Sequence, residues 1–448
     1  MSTIKPVRIP RSSHSISRTM VSPNALRVLY RLKDNGFIAY LVGGSVRDLL
    51  LGREPKDFDV VTNATPGQIK RLFRNCRLVG RRFRLAHLHF ADEIIEVSTF
   101  RSAAPDVAEI DESPEQVDGR TPRHLKSEDG MVLRDNLFGT PEQDALRRDF
   151  TVNALAYDIA DFSIIDLTGG MEDLQRGVIR TIGEPQVRFT EDPVRMLRAV
   201  RFSAMLGFTI ETETLDAILD QSASIALASP PRLYEEHLKL FCLGEGEKSY
   251  QLLRRTGLFT ALFPCFSEWL ESETNGFPHT RVGEALDRID CRIQTGGNIP
   301  PHLLIALMFG QYLEEKGERF RREGANQQQS LDMAVAEFLA ELAPTVQIPN
   351  KVGQMVRNML VCQSRFRKIP GRNPLSFTGR PGFGDALDYL RFTGEVTGEN
   401  RKLSVWWEQF VRDNPQVALE ETSGERHPKP EAGRRRKRRR RRRGQPPI

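Results

Sequence analysis

Two aspartates one residue apart, Asp57 and Asp59, follow a Gly43-Gly44 pair within residues 41–62, LVGGSVRDLLLGREPKDFDVVT. On a strand, side chains at i and i+2 share a face, so these carboxylates are expected to project together. Neighbouring carboxylates repel unless a divalent cation sits between them. Adjacent glycines let a backbone turn tightly and press its N–H groups against a bulky anion. A phosphate cradle beside a metal-binding acid pair is equipment for phosphoryl or nucleotidyl transfer. Taken singly, Gly-Gly is most often a turn and Asp-x-Asp a solvated or capping pair. Their order within about twenty residues carries the catalytic reading.

Local elements must hold these groups in place. The apolar run 39–42 reads as a buried strand. Residues 45–51 read as a short helix stopped at Gly52, its N-terminus aimed at the same anion. Residues 57–61 read as a second strand. A helix is expected over 22–35, and another from the Thr65-Pro66 cap through Phe73. In 94–100 (IIEVSTF), Glu96 has the parity to aim at the metal site. Thr140-Pro141-Glu142-Gln143 begins a capped helix expected to carry Arg147, Arg148, Asp149 and Asn153, with Asp149 and Asn153 on one face. A helix starting at Thr190 runs to Leu206, with an apolar stripe at Val194, Leu197, Val200 and Ala204. Glu191, Asp192 and Arg195 then converge, either as an ion-paired helix start or as a base reader. In the second case a carboxylate accepts the exocyclic amine of adenine or cytosine and a guanidinium donates to the adjacent ring nitrogen. Guanine and uracil present the reversed pattern.

This pattern resembles the DNA polymerase β nucleotidyltransferase superfamily. More narrowly, it resembles the class II template-independent RNA nucleotidyltransferases, which comprise CCA-adding enzymes and bacterial poly(A) polymerases. The likeness covers about half the chain, to near Gly246. It implies an α+β protein: a head with a five-stranded mixed sheet, then helical neck and body. The expected division is an extended arm at 1–20, head at 21–165, neck at 166–246, RNA-binding body at 247–412 and a disordered Arg-rich tail at 413–448. Gly43, Gly44, Arg47 and Asp48 would shape the triphosphate pocket, with Arg147, Arg148 and Asn153 at the ribose. Asp57 and Asp59 would hold two Mg²⁺ ions. Asp149 would supply the third acid, with Glu96 in reserve. Glu191, Asp192 and Arg195 would read the base. Residues 166–174 match the family's flexible hinge, and 231–236 match a cap that steadies the reading helix. The basic run 80–85 is similar to a signature separating poly(A) polymerases from CCA-adding enzymes, and favours AMP addition from ATP to RNA 3′ ends. CCA addition is the alternative. A non-catalytic RNA-binding protein is more remote, since every expected carboxylate is present.

The bulk composition agrees. A chain of 448 residues exceeds one typical core. Net charge is +6, and taking away the +10 of the run 434–443 leaves −4 for the rest. That run reads as a polyanion-binding arm. Five scattered cysteines argue for reduced thiols, without zinc spacing. No apolar run approaches a membrane span and no secretory signal is visible. The expectation is a bacterial cytoplasmic monomer meeting RNA 3′ ends, ATP and RNA-decay proteins. The acidic stretch 102–130 reads as a mobile loop, either gating the site or a passive insertion. Trp406 and Trp407 read as packing residues, with RNA stacking as the second reading.

Overall fold

The computed structural model describes residues 6–80, 84–102, 124–126, 132–135, 138–272, 277–368 and 374–415. The segment expected as an arm belongs to the sheet. Strand β1, Val7–Ile9, pairs antiparallel with Ile164–Asp166, and Ile16 is fully buried. Helix α1, Pro23–Asp34, starts where the sequence predicts. Ser22 Oγ accepts the N–H groups of Asn24 and Ala25, and proline fills the first turn. Then come β2 (Ala39–Val42), α2 (Gly44–Leu50), β3 (Asp59–Thr62), α3 (Pro66–Leu72), β4 (Cys76–Val79), β5 (Leu85–His89) and β6 (Ile94–Thr99). Thr65 and Gln68 close a reciprocal capping box on α3, a device contributing about 1 kcal/mol. Strands β7 (His124–Lys126) and β8 (Val132–Asp135) pair with each other, so the expected loop holds strand structure. Its residues 103–123 and 127–130 lie outside the described residues. Helix α4 (Pro141–Leu146), β9 (Ala156–Asp158) and β10 (Ile164–Asp166) complete this region.

Eight strands, where the resemblance implied five, form one mixed sheet in the order β1-β10-β9-β2-β3-β6-β5-β4. Strands β3 and β6 run parallel, and β2 and β5 flank them antiparallel. The apolar run of β2 is buried along its whole length, as a central strand covered on both faces requires.

Asp166 ends β10. Its carboxylate accepts the backbone N–H groups of Thr168, Gly169, Gly170 and Met171 at 2.9–3.0 Å. The expected hinge at 166–174 is therefore a tied turn opening α5, Gly170–Arg176. A short parallel pair follows, β11 (Val178–Ile179) with β12 (Thr209–Ile210). Around it lie α6 (Pro185–Glu191), α7 (Val194–Leu206), α8 (Thr212–Gln221) and α9 (Pro230–Phe241). The single helix expected from Thr190 is broken, since Asp192 is extended at φ −152°, ψ 92°. Pro193 explains this, because proline drives the residue before it out of the helical region. The predicted stripe of α7 is buried throughout.

The rest of the described chain is helical. Pro301–Arg322 and Gln327–Leu342 approach closely at Gly317, where a Cβ would lie 3.2 Å from Leu331. Rings of Phe259, Phe263, Phe309 and Phe338 pack in succession, centroids 5.0–5.3 Å apart. The last helix, Arg401–Asp413, is pinned by Trp407. Its Nε1 donates to the Phe366 carbonyl at 3.1 Å, and Phe366, Phe377 and Phe383 surround the ring. Truncating such an anchor costs about 3–5 kcal/mol. Among the described residues, no helix is long and apolar enough to cross a membrane.

Candidate active site

Val42 at the end of β2 lies opposite Asp59 at the start of β3, so Gly43 comes level with that carboxylate. Gly43 has φ +74°, ψ −138°, a conformation that favours glycine. A Cβ there would lie 3.4 Å from Arg148 Nη1 and 3.9 Å from Asp59 Oδ2. The bare backbone thus faces an acid and a guanidinium together. Ser45 Oγ donates to the Val42 carbonyl at 2.9 Å, closing the turn into α2. Arg47 is buried. It contacts Asp48 Oδ1 at 2.8–2.9 Å and donates to Asn153 Oδ1 at 2.7 Å, a strut between α2 and the turn Thr151–Asn153.

Asp57 lies outside β3, contrary to the shared-face expectation. Strand β2 stops at Val42, so the β2–β3 ladder ends at Asp59 and residues 57 and 58 have no partner on that side. Asp57 is still near enough for its charge to act on Asp59. On the other side of β3, β6 places Glu96 opposite Asp59. Burial first, then the Glu96 and Asp57 charges, push the Asp59 carboxyl up to about 6, against the pull of Arg148. Such accumulated negative charge is what a divalent cation neutralises, and these are hard oxygen donors that fit one. Among the described residues, no three acidic, His or Cys side chains form a closed metal cage. Mg²⁺ does not need one, because it takes one or two carboxylates and completes its shell with phosphates and water.

Helix α4 ends at Leu146, so Asp149 and Asn153 do not share a helix face as expected. Phe150 is extended and bridges to Thr181, and Thr151–Asn153 is a single 3₁₀ turn. The two side chains meet nonetheless: Asn153 Nδ2 donates to Asp149 Oδ1 at 3.2 Å, and the Phe150 N–H does so at 2.9 Å. Asp149 Oδ2 receives Arg198 Nε and Nη2 at 2.7 and 2.5 Å. Burial opposes ionisation, but Arg198, aided by Asn153 and Phe150, overrides it and holds Asp149 at about 2. Arg148 bonds Asp144 at 3.2 Å. The carbonyls of Arg147 and Arg148 both accept from Arg188 Nη2, at 2.6 and 2.8 Å.

The base-reading trio divides into two pairs. Glu191 accepts from Arg188 at 2.7 Å and from Arg195 at 3.3 Å. Asp192 turns away into a two-bond fork with Arg232 of α9, at 3.0 and 2.9 Å. The break at Pro193 separates the two acids. Arg188, Arg198, Phe202 and Lys239 are residues at the site that sequence reading did not single out, whereas Arg232 and Glu236 belong to the 231–236 cap that it did. Arg198 and Phe202 were findable, lying three and seven residues after Arg195 on one helix face. The guanidiniums of Arg47 and Arg198 each sit 5.2 Å from the Phe202 ring. Gly43, Gly44, Asp59, Arg148, Asp192 and Arg195 all line one cleft of about 520 Å³. In the discriminating run 80–85, residues 81–83 lie outside the described residues.

Comparison with known proteins shows the family. The family model described as poly A polymerase head domain matches residues 39–180. Models for a probable RNA- and SrmB-binding site of polymerase A and for a polymerase A arginine-rich C-terminus match 207–270 and 323–443. Poly(A) polymerase I of Escherichia coli O6:H1 is 44% identical, over 91% of this chain and 86% of its own. That of Haemophilus influenzae is 40% identical over 94% and 92%. The CCA-adding enzyme of Lactobacillus helveticus reaches 39%, over only 52% of this chain. Among solved structures, a Bacillus stearothermophilus CCA-adding enzyme in complex with CTP superposes with a TM-score of 0.57 at 26% identity, covering 91% of this chain and 90% of that one. A sheet-borne acid, a glycine turn and the Asp192/Arg195 set line one cleft, and relatives matched nearly end to end place the chain in the bacterial poly(A) polymerase I family.

Proposed function

We infer that this chain adds AMP from ATP to RNA 3′ ends without a template, releasing pyrophosphate. The observation that carries this reading is the single cleft where the Gly43-Gly44 turn, Asp59 and the Asp192/Arg195 face meet. Asp57 and Asp59 are assigned to Mg²⁺. Glu96 is preferred to Asp149 as the third acid, because it stands beside Asp59 while both Asp149 oxygens are already bonded. When bound, the ions lower the pKa of the RNA 3′-hydroxyl and neutralise the leaving pyrophosphate.

The other roles belong to the chain itself. Gly43, Gly44 and Arg148 meet the phosphates, and Arg47 and Asp48 brace that wall. Arg147 and Asn153 face the ribose side. Asp192 accepts the adenine amine on lone pairs left over from its fork with Arg232, and Arg195, held by Glu191, donates to the ring nitrogen. Guanine reverses this donor and acceptor order and is refused. The head-neck-body-tail division, RNA contact by the helical half, RNA-decay proteins as partners, a monomeric state and a bacterial cytoplasmic setting complete the proposal.

The test supplies Mg²⁺, a generic RNA and a tRNA lacking CCA, with each nucleotide offered singly and then CTP with ATP. Long ATP-only ladders on both RNAs are expected. CTP use that arrests after three additions on tRNA alone would overturn the reading in favour of CCA addition, the activity named for a relative matched over 52% of the chain.

A further inference from the structure

Glu96 of β6 has a second neighbour across the sheet besides Asp59. Strand β5 runs antiparallel on its other side and places His87 directly opposite Glu96, with Arg77 of β4 opposite His87 in turn. Residues that face one another across a ladder lie on the same face of the sheet. Asp59, Glu96 and His87 therefore form one row leading out of the cleft. His87 Nε2 lies 3.3 Å from Glu96 Oε2. An imidazole with its proton on Nε2 donates to that oxygen. The Glu96 side chain is 41% exposed and that of His87 29%. His89, on the same face of β5, stands opposite Ile94, and its ring centroid is 6.4 Å from that of His87.

Side by side, Asp59 and Glu96 repel each other when both are ionised, and the Glu96 charge helps to push Asp59 up. Glu96 has one more rotatable bond than Asp59 and open space beside it, so repulsion alone would turn it out into water. We propose that His87 is a positioning residue for the metal site. It engages Glu96 Oε2 on the side away from Asp59 and leaves Oε1 available to a cation. Carboxylates that ligate a metal are oriented by outer partners of this kind. A half-exposed pair contributes little to stability, so the effect of His87 lies in where it holds Glu96. The inference rests on the assignment of Asp59 and Glu96 to Mg²⁺ above, and adds to it what keeps the third acid in place.

The experiment uses the full chain and the variants His87→Ala, His87→Gln, His89→Ala and Glu96→Gln. Two responses to free Mg²⁺ are read: the rise in unfolding temperature at fixed ATP without RNA, and AMP transfer to an RNA 3′ end. Urea unfolding without metal is measured alongside. His87→Ala should need about 10-fold more Mg²⁺ for half its effect, the lower end of what losing an outer partner costs, because this pair is part exposed. Its metal-free unfolding should match the wild type. His87→Gln, whose amide nitrogen reaches about as far as Nε2, should recover most of the Mg²⁺ response, and His89→Ala should behave as the wild type. An unchanged Mg²⁺ dependence in His87→Ala would overturn the proposal. So would a loss that Gln does not restore, that His89→Ala shares, or that metal-free unfolding shows in equal measure. If Glu96→Gln weakens the Mg²⁺ response while His87→Ala does not, the positioning role alone fails. If Glu96→Gln also leaves it unaltered, Glu96 is no ligand and the assignment beneath the proposal fails too. A wild type without any Mg²⁺ response would end the parent reading.

Discussion

Replacing Arg198 by Met tests what holds the head against the helix that carries Arg195. Met keeps an apolar stem of similar length but removes the charge that Asp149 faces at 2.5 Å. In the wild type, Asp149 titrates at about 2 where an ordinary Asp titrates at 3.8. That difference, just under two pKa units, corresponds to about 2.5 kcal/mol of stability. Because the folded pKa is depressed, that stability is fully present above the unfolded pKa and disappears as pH falls toward 2. Between about pH 5 and 8 it is constant. Removing Arg198 leaves the burial of Asp149 unopposed except by Asn153 and the Phe150 N–H. A buried charge stripped of its partner costs about 3–5 kcal/mol. In the variant the Asp149 pKa rises above its unfolded value, so the folded form takes up a proton and regains stability as pH falls. Urea unfolding of wild type and variant should therefore show a gap of about 3–5 kcal/mol near pH 8 that narrows toward pH 5. Glu236 keeps Arg201 and Lys239 in both proteins and adds little to the difference. A gap under about 1 kcal/mol, or one independent of pH, would refute the pairing as the brace.

Asp59→Asn should abolish AMP transfer while RNA binding, read by anisotropy, stays intact. Mg²⁺ with ATP should raise the unfolding temperature of the wild type but not of this variant, and retained activity would sink the metal assignment. Gly170→Ala would place a Cβ 2.3 Å from the Thr151 carbonyl oxygen. Backbone cannot yield as a side-chain tip does, so a loss of about 1–3 kcal/mol is expected in urea unfolding, and unchanged stability would contradict that close approach. Deleting 434–443 should flatten the dependence of log K for single-stranded RNA on log salt, by up to about 7 units for ten cations. An unaltered slope would show that the run does not touch phosphates.

What the sequence made legible was mostly local. The cap at Thr65 and the capping box at Thr140 form as read, because N-cap and N3 lie within one turn of each other, and Gln68 completes a box at Thr65 as well. The parity of Glu96 held because the i, i+2 rule needs only the strand itself. The break at Asp192 was also local, since Pro193 announces it, but the apolar spacing of 194–204 drew the helix boundary too early. Other misses were long-range. Val7–Ile9 looks like a tail until Ile164–Asp166, more than 150 residues on, supplies its ladder. The partners of Asp192 and Asp149 are likewise distant, Arg232 lying 40 residues on and Arg198 49 residues on. Charge spacing along a chain shows which groups can pair on one element, and not which element will come to meet them.

The joint between Asp149 and Arg198 is one of several bonds between the two walls of the cleft. Arg188 clasps two carbonyls just after α4, Phe150 bridges to Thr181, and Thr151 Oγ1 donates to Asp173 at 2.7 Å. On the function proposed above, these bonds set the wall assigned to phosphates against the helix assigned to the base, so any change in which base is accepted would have to begin by breaking them.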